Sequence, residues 1–241
     1  MMDQIAKLNE IIAGSKRAVF FGGAGVSTES GIPDFRSADG IYSIDSVIPP
    51  ETIISHSFFM ERPEEFYSFY KDKMIYPDAV PNAAHIKLAE LERAGKVVAI
   101  LTQNIDGLHQ KAGSKNVFEL HGSVERNYCT KCGKSFDLSY IMHSDGVPHC
   151  DVCNGIIKPD VVLYEEPLDE RVWEGAVSAI VKADTFIIGG TSLTVYPAAS
   201  LVRYFRGDHL VIINKSATTY DGYADLNINA PIGEVFSEVH L

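Results

Sequence analysis

Four cysteines stand at Cys129, Cys132, Cys150 and Cys153, two Cys-x2-Cys pairs with 17 residues between them. Two such knuckles close a tetrahedral Zn2+ site in which protein fills every coordination position. A site without an open position holds structure together and does no chemistry on a substrate. Four unrelated thiols or two disulfides are the alternatives. Residues Met1 to Arg17 carry no signal-peptide core, so the expected compartment is the reducing cytoplasm. There, paired cysteines hold metal more often than one another. Around them Lys131, Lys134 and Arg126 are offset by Asp137, Asp145 and Asp151, which gives no basic patch for nucleic acid.

A second constellation runs from Gly23 through Ala24, Gly25, Ser27, Thr28, Gly31, Asp34 and Phe35 to Arg36. It follows the apolar run Ala18-Val19-Phe20-Phe21, which reads as a buried strand. A strand feeding a glycine-rich turn presents backbone N–H groups to phosphate in doubly wound folds. The dinucleotide fingerprint wants a third glycine where Thr28 stands. It also wants an acidic residue about 20 positions on, at the end of a second strand. Asp39 and Asp45 lie near that distance, but no strand pattern leads to them. The turn is built for phosphate and fails as a dehydrogenase fingerprint.

Further polar residues follow other apolar runs. Thr102-Gln103-Asn104-Ile105-Asp106 comes after Val97–Leu101, and His121-Gly122 after Val117–Leu120. Gly189-Gly190-Thr191-Ser192 comes after Phe186–Ile188, and Asn214 after Leu210–Ile213. The carboxyl ends of strands are where a doubly wound sheet gathers ligand contacts. His121 at such a place suits a general base near neutral pH. His85 and His109 sit in helical patterns and are weaker candidates.

These residues need a scaffold, and 241 residues suffice for one large domain or a domain with insertions. The strands expected in a parallel sheet are the five runs above together with Val161–Leu163. Helical periodicity occupies Asp3–Ala13, Asn82–Ala94 and Glu170–Ala183. The alternation predicts an α/β, doubly wound, Rossmann-like parallel sheet. The aromatic, helical stretch 37–81 and the cysteine segment 122–157 interrupt it as two insertions, which form a smaller helical and zinc-binding domain. The larger domain then comprises 1–36, 82–121 and 158–241. A net charge of −11 argues against nucleic acid or an anionic membrane as the main partner. No apolar run approaches the ~20 residues of a membrane span.

Taken together, the glycine run through Arg36, Thr102-Gln103-Asn104-Ile105-Asp106, Leu120-His121-Gly122, the paired cysteines and Gly190-Thr191-Ser192-Leu193 resemble a sirtuin. Sirtuins are NAD-dependent protein-lysine deacylases. The resemblance implies a protein-lysine deacetylase that consumes NAD to give nicotinamide, 2′-O-acetyl-ADP-ribose and free lysine, with one structural Zn2+. It also implies acetyl-lysine proteins or peptides as partners. By motif position, Ala24, Thr28 and Arg36 contact the pyrophosphate and nearby ribose. Phe35 shields the reacting sugar face. Gln103 and Asn104 hold the nicotinamide ribose, while Ile105 and Asp106 form the nicotinamide pocket. Thr191, Ser192, Asn214 and Ile232 line the adenosine side. His121 is the general base and Asn104 its catalytic companion.

The resemblance extends to Lys158–Glu166, which matches the family's substrate strand, with Val162 and Tyr164 bordering the acyl-lysine tunnel. Glu165 stands where glycine is frequent, which bears on peptide affinity and on preference for basic peptides. Desuccinylating relatives carry Tyr-x-x-Arg; here Tyr67-Ser68-Phe69-Tyr70 and Tyr70-Lys71-Asp72-Lys73 lack the arginine. Acetyl and other uncharged acyl groups are therefore expected. Transfer of ADP-ribose to protein is the rival activity, and removal of longer uncharged acyl groups the nearest extension.

Overall fold

The computed structural model describes residues 1–35, 37, 40–43 and 47–240. Nine strands are found among them: β1 Ala18–Gly22, β2 Val97–Thr102, β3 Val117–Glu119, β4 Gly122–Cys129, β5 Ser135–Asp137, β6 Ile157–Val161, β7 Thr185–Gly189, β8 His209–Ile213 and β9 Leu226–Ile228. Nine α-helices accompany them: α1 Met2–Gly14, α2 Pro50–Ile53, α3 His56–Glu61, α4 Pro63–Lys73, α5 Ala83–Arg93, α6 Leu108–Lys111, α7 Leu138–His143, α8 Glu170–Val181 and α9 Ile232–Ser237.

Six strands form one parallel sheet in the order β3-β2-β1-β7-β8-β9. β1 and β7 are buried at every residue, as strands covered on both faces must be. On one face Phe20, Ile100, Ile187 and Val211 pack with Leu8, Leu88 and Phe236 from α1, α5 and α9. On the other, Phe21, Leu101, Phe186 and Ile188 pack with Ala176 and Ile180 of α8 and with Leu201. The order reverses at β1, because β2 lies on one side of it and β7 on the other. That switch point opens a crevice at the strands' carboxyl ends.

A second, antiparallel sheet has the order β5-β4-β6. With α2, α3, α4 and α7 it buries Phe59, Phe66, Tyr67, Tyr70, Ile141 and Ile157 together with Cys129 and Cys150.

One expectation is corrected. The run Val161–Leu163 is not a parallel strand of the main sheet; β6 ends at Val161 and pairs antiparallel with β4. Its burial alternates, with Ile157, Pro159 and Val161 inside and Lys158 and Asp160 half-exposed. Alternation marks a strand with one wet face. Pro159 is tolerated because β6 is an edge strand. β9, three residues long with Asn227 at its centre, gave no periodic signal of its own.

Candidate active site

The two glycine turns at the switch point are pressed together. The Gly25 N–H donates to the Gly190 carbonyl at 2.8 Å. A Cβ on Gly25 would lie 2.8 Å from the Gly190 Cα, and one on Gly23 would lie 2.8 Å from the Thr191 Cβ. Gly190 itself has φ +59° and would drive a Cβ to 2.4 Å from the Val26 nitrogen. The turns close only without side chains, and they leave a cleft of about 480 Å³ beside them.

Ala24, Thr28, Phe35, Gln103, Asn104, Ile105, Asp106, His121, Val162, Tyr164, Thr191, Ser192, Asn214 and Ile232 all line this cleft. Arg36 lies outside the described residues. The Thr28 hydroxyl donates to the Gly25 carbonyl at 3.1 Å and so braces the turn. Asn214 and Thr191 lock reciprocally: the Thr191 N–H donates to Asn214 Oδ1 at 3.0 Å, and Asn214 Nδ2 donates to the Thr191 carbonyl at 2.5 Å. Ile232 opens α9 with 3% of its surface exposed, so its part in the cleft is a buried apolar wall.

On the β2 side, Gln103 Nε2 donates to Thr191 Oγ1 at 2.9 Å, joining the loops after β2 and β7. The Gln103 carbonyl accepts from His121 Nδ1 at 3.0 Å. A carbonyl only accepts, so Nδ1 carries the proton. In the neutral ring Nε2 then holds a free lone pair, which is the arrangement a general base needs. Burial pushes the His121 pKa below the usual histidine value, and the Gln103 bond opposes this in part. His121 is fixed from its other side by Gly122, whose φ is +76°. A Cβ there would sit 1.8 Å from the Asp160 carbonyl oxygen.

The sequence reading placed Ser27 in the glycine turn but gave it no role. Its Oγ donates to Asp106 Oδ2 at 2.6 Å and accepts from Asn104 Nδ2 at 3.0 Å. Asp106 Oδ1 accepts from the Leu108 N–H at 2.9 Å. One hydroxyl thus orients both the amide and the carboxylate of the β2 loop. The available signal was its place in the glycine turn, but its partner is 79 positions away in sequence.

The four cysteine sulfurs lie within 4.8 Å of one another. Cys129 and Cys153 are 3.4 Å apart and Cys132 and Cys150 3.7 Å apart. A disulfide needs about 2.05 Å, whereas a tetrahedron with Zn–S near 2.3 Å has edges of about 3.8 Å. The Lys131 and Cys132 N–H groups donate to Cys129 Sγ, and the Val152 N–H to Cys150 Sγ. The donor set, spacing and N–H···S bonds fit Zn2+.

A sequence model of the Sir2 family matches residues 23–197. The chain belongs to the Sir2 family. It is 63% identical over 242 residues to an NAD-dependent protein deacetylase of Clostridium perfringens, covering 99% of each chain. It is 59% identical over 242 residues to the enzyme of that description in Clostridium acetobutylicum, again covering 99% of each. Among solved structures, a Sir2 enzyme superposes with TM-score 0.90 at 41% identity, over 99% of this chain and 97% of the other. A Sir2 protein with a p53 peptide and NAD+ gives TM-score 0.85 at 40% identity, over 97% and 95%. These two solved Sir2 structures share this chain's fold over nearly their whole length. No helix among the described residues is long and apolar enough to cross a membrane.

Proposed function

We propose that this chain is a cytoplasmic NAD-dependent protein-lysine deacetylase acting on acetyl-lysine proteins or peptides. The carrying observation is His121, half-buried in the lining of the cleft with Nδ1 tied to the Gln103 carbonyl and Nε2 left as acceptor. NAD would supply a ribose carbon that takes the acyl oxygen as nicotinamide leaves; the ribose 2′-hydroxyl would then take the acyl carbon, and one water would replace the lysine nitrogen there, so that the products are nicotinamide, 2′-O-acetyl-ADP-ribose and free lysine. His121 Nε2 draws the proton from a ribose hydroxyl, and Gln103 holds the ring while it becomes cationic. Asn104, oriented by Ser27, holds the ribose. Asp106 and Ile105 bind the nicotinamide amide, with Ser27 fixing the carboxylate.

On this reading the glycine turn offers backbone N–H groups to the pyrophosphate with Ala24, Thr28 and Arg36. Thr191, Ser192, Asn214 and Ile232 form the adenosine end. Phe35 and Tyr42 rings meet at 5.4 Å, and the Tyr42 and Tyr164 hydroxyls at 2.8 Å. Phe35 therefore stands near the rim where Val162 and Tyr164 border the acyl-lysine. Cys129, Cys132, Cys150 and Cys153 would hold one Zn2+, which supplies a cross-link for the lobe formed by 37–81 and 122–157. The remaining segments, 1–36, 82–121 and 158–241, form the NAD-binding lobe.

The test is mass spectrometry of protein, NAD and an acetyl-lysine peptide, with His121→Ala alongside. Deacetylated peptide and acetyl-ADP-ribose in equal amounts, lost in the variant, are expected. ADP-ribose on protein without acetyl-ADP-ribose would overturn the reading in favour of ADP-ribosyl transfer.

A further inference from the structure

Among the described residues, three that are not glycine have a left-handed backbone: Asn154 (φ +57°), Glu165 (φ +77°) and Leu193 (φ +55°). Glutamate is disfavoured there, and such outliers persist where surrounding contacts hold them. Glu165 is at the third position of a tight turn closed by the Glu166 N–H donating to the Leu163 carbonyl at 3.1 Å, where glycine is the common occupant. Ser57 in the first turn of α3 holds it. The Ser57 N–H donates to Glu165 Oε2 at 2.9 Å and the Ser57 hydroxyl to the same oxygen at 2.6 Å.

Both bonds fall on one oxygen. Glu165 Oε1 has no partner among the described residues. The neighbouring Glu166 differs: its Oε1 meets His56 Nδ1 at 2.8 Å, and its Oε2 accepts from Lys158 Nζ at 3.0 Å and the Leu163 N–H at 2.9 Å. Glu166 is consumed by the fold, while Glu165 keeps a free charged acceptor at an exposed position. The Ser57 hydrogen bonds hold its carboxyl below the usual glutamate range, so it is anionic at neutral pH.

The same segment carries an open backbone edge. The N–H groups of Val162, Leu163 and Tyr164 are taken by His121, Glu166 and Ile54, and the Tyr164 carbonyl by the His56 N–H. The Val162 carbonyl and both backbone groups of Glu165 have no partner among the described residues. These residues line the cleft. An open edge beside a cleft takes an extended peptide by strand addition.

We propose that Glu165 is a specificity-determining residue that reads a lysine or arginine flanking the acyl-lysine of the substrate. This rests on the deacetylase reading for the position of the peptide. Ser57 pre-positions the carboxylate, so little side-chain freedom is lost when the peptide's cation pairs with Oε1. Peptide strands with a basic neighbour gain this contact, and those with an acidic neighbour meet repulsion.

The experiment measures Kd by fluorescence anisotropy for acetyl-lysine peptides that differ only in one flanking residue, Lys or Glu. Product formation from each is followed in parallel. Wild type is expected to bind the Lys-flanked peptide tighter by about fivefold, the range of a partly screened ion pair. Glu165→Gln should bring that ratio to about one, while Glu170→Gln, which removes an exposed carboxylate at the start of α8, should leave it intact. Equal Kd values in wild type, or a ratio that survives Glu165→Gln, would overturn the proposal. Binding needs no turnover, so the two readings fail separately. A Glu165-dependent ratio without acetyl-ADP-ribose sinks only the deacetylase reading. Acetyl-ADP-ribose with equal Kd values sinks only the charge reading.

Discussion

His121 Nδ1 and the Gln103 carbonyl, 3.0 Å apart, fix one tautomer of a half-buried imidazole. The bond joins the loop after β2 to the short link between β3 and β4 and leaves Nε2 as the only ring acceptor. Burial lowers the His121 pKa, with the Gln103 bond opposing. A base must be neutral, so activity is present above this lowered pKa and is lost as pH falls through it. The acid limb of kcat/KM is therefore expected to have its midpoint below pH 6.5. His121→Ala should lower kcat by ~100-fold or more, the usual scale of general base loss. An acid midpoint above 6.5 would contradict the neutral ring.

Ser27 makes a separate prediction. Replacing it with Ala leaves Asp106 Oδ2 and Asn104 Nδ2 without their common partner. A hydrogen bond to a charged group is worth ~1.5–3 kcal/mol, or roughly ten- to a hundredfold. The loss should appear in kcat/KM for NAD and in nicotinamide inhibition, with the melting temperature little changed. Full activity of Ser27→Ala would mean that Asp106 needs no such support.

The contrast between Ser27 and Gly25 shows what a sequence can disclose. Gly25 was legible because turns this close tolerate no side chain, a demand that names a residue type. The cysteines were legible because metal ligation fixes both type and spacing. Ser27 was not, because a serine in a turn commonly caps the backbone and only the fold brings Asp106 to it. Val161–Leu163 misled because three consecutive apolar residues look buried on both faces. The alternation that identifies β6 begins four residues earlier, at Ile157. Leu163 is instead buried in one cluster with Ile53, Phe58 and Val161, without strand pairing of its own.

Acyl preference follows from α4. The Tyr67 hydroxyl donates to the Ile157 carbonyl and is committed to the fold. Tyr70, four-fifths of a turn on, lines the cleft and stays un-ionised, because burial raises its pKa well above 10, with Tyr67 and Glu125 adding to the effect. Neither tyrosine can offer a cation to a terminal carboxylate, and Lys73, which also lines the cleft, is paired with Asp72 at 2.9 Å. Desuccinylation should run about tenfold or more below deacetylation in kcat/KM, since a buried unpaired carboxylate costs at least that. Tyr70→Arg should narrow the gap, and rates compared on matched peptides check both statements.

Zinc removal should spread beyond its module. Cys129 and Cys150 are buried with Phe59, Phe66, Tyr67 and Tyr70, and β6 anchors Tyr67 through Ile157. Structural zinc contributes ~10 kcal/mol or more in small modules, comparable with a whole domain's stability. Metal analysis should find one Zn2+ per chain. Cys132→Ser or strong chelation should release it, expose the α4 aromatics to a hydrophobic dye and abolish activity. Retained activity in metal-free protein would refute the structural role.

The last prediction concerns His85 and His109, whose rings lie 4.8 Å apart beneath the β2 loop. Both are fully buried. His85 Nδ1 accepts from the Asn82 N–H, but His85 Nε2 and both nitrogens of His109 have no partner among the described residues. Burial takes the His85 pKa down to about 4 despite the favourable charge of Asp106. Burial, then the His85 ring, lowers that of His109 as well. The unfolded chain binds protons at these residues below pH 6.5 and the native chain does not, so stability present above pH 6.5 is lost as pH falls toward 4. The slope is about 1.4 kcal/mol per pH unit for each histidine. His109→Leu keeps the volume close and removes two buried polar atoms without partners. Urea unfolding at pH 7 and pH 5 should show a smaller acid loss in this variant than in wild type. An unchanged difference would place the acid sensitivity elsewhere in the chain.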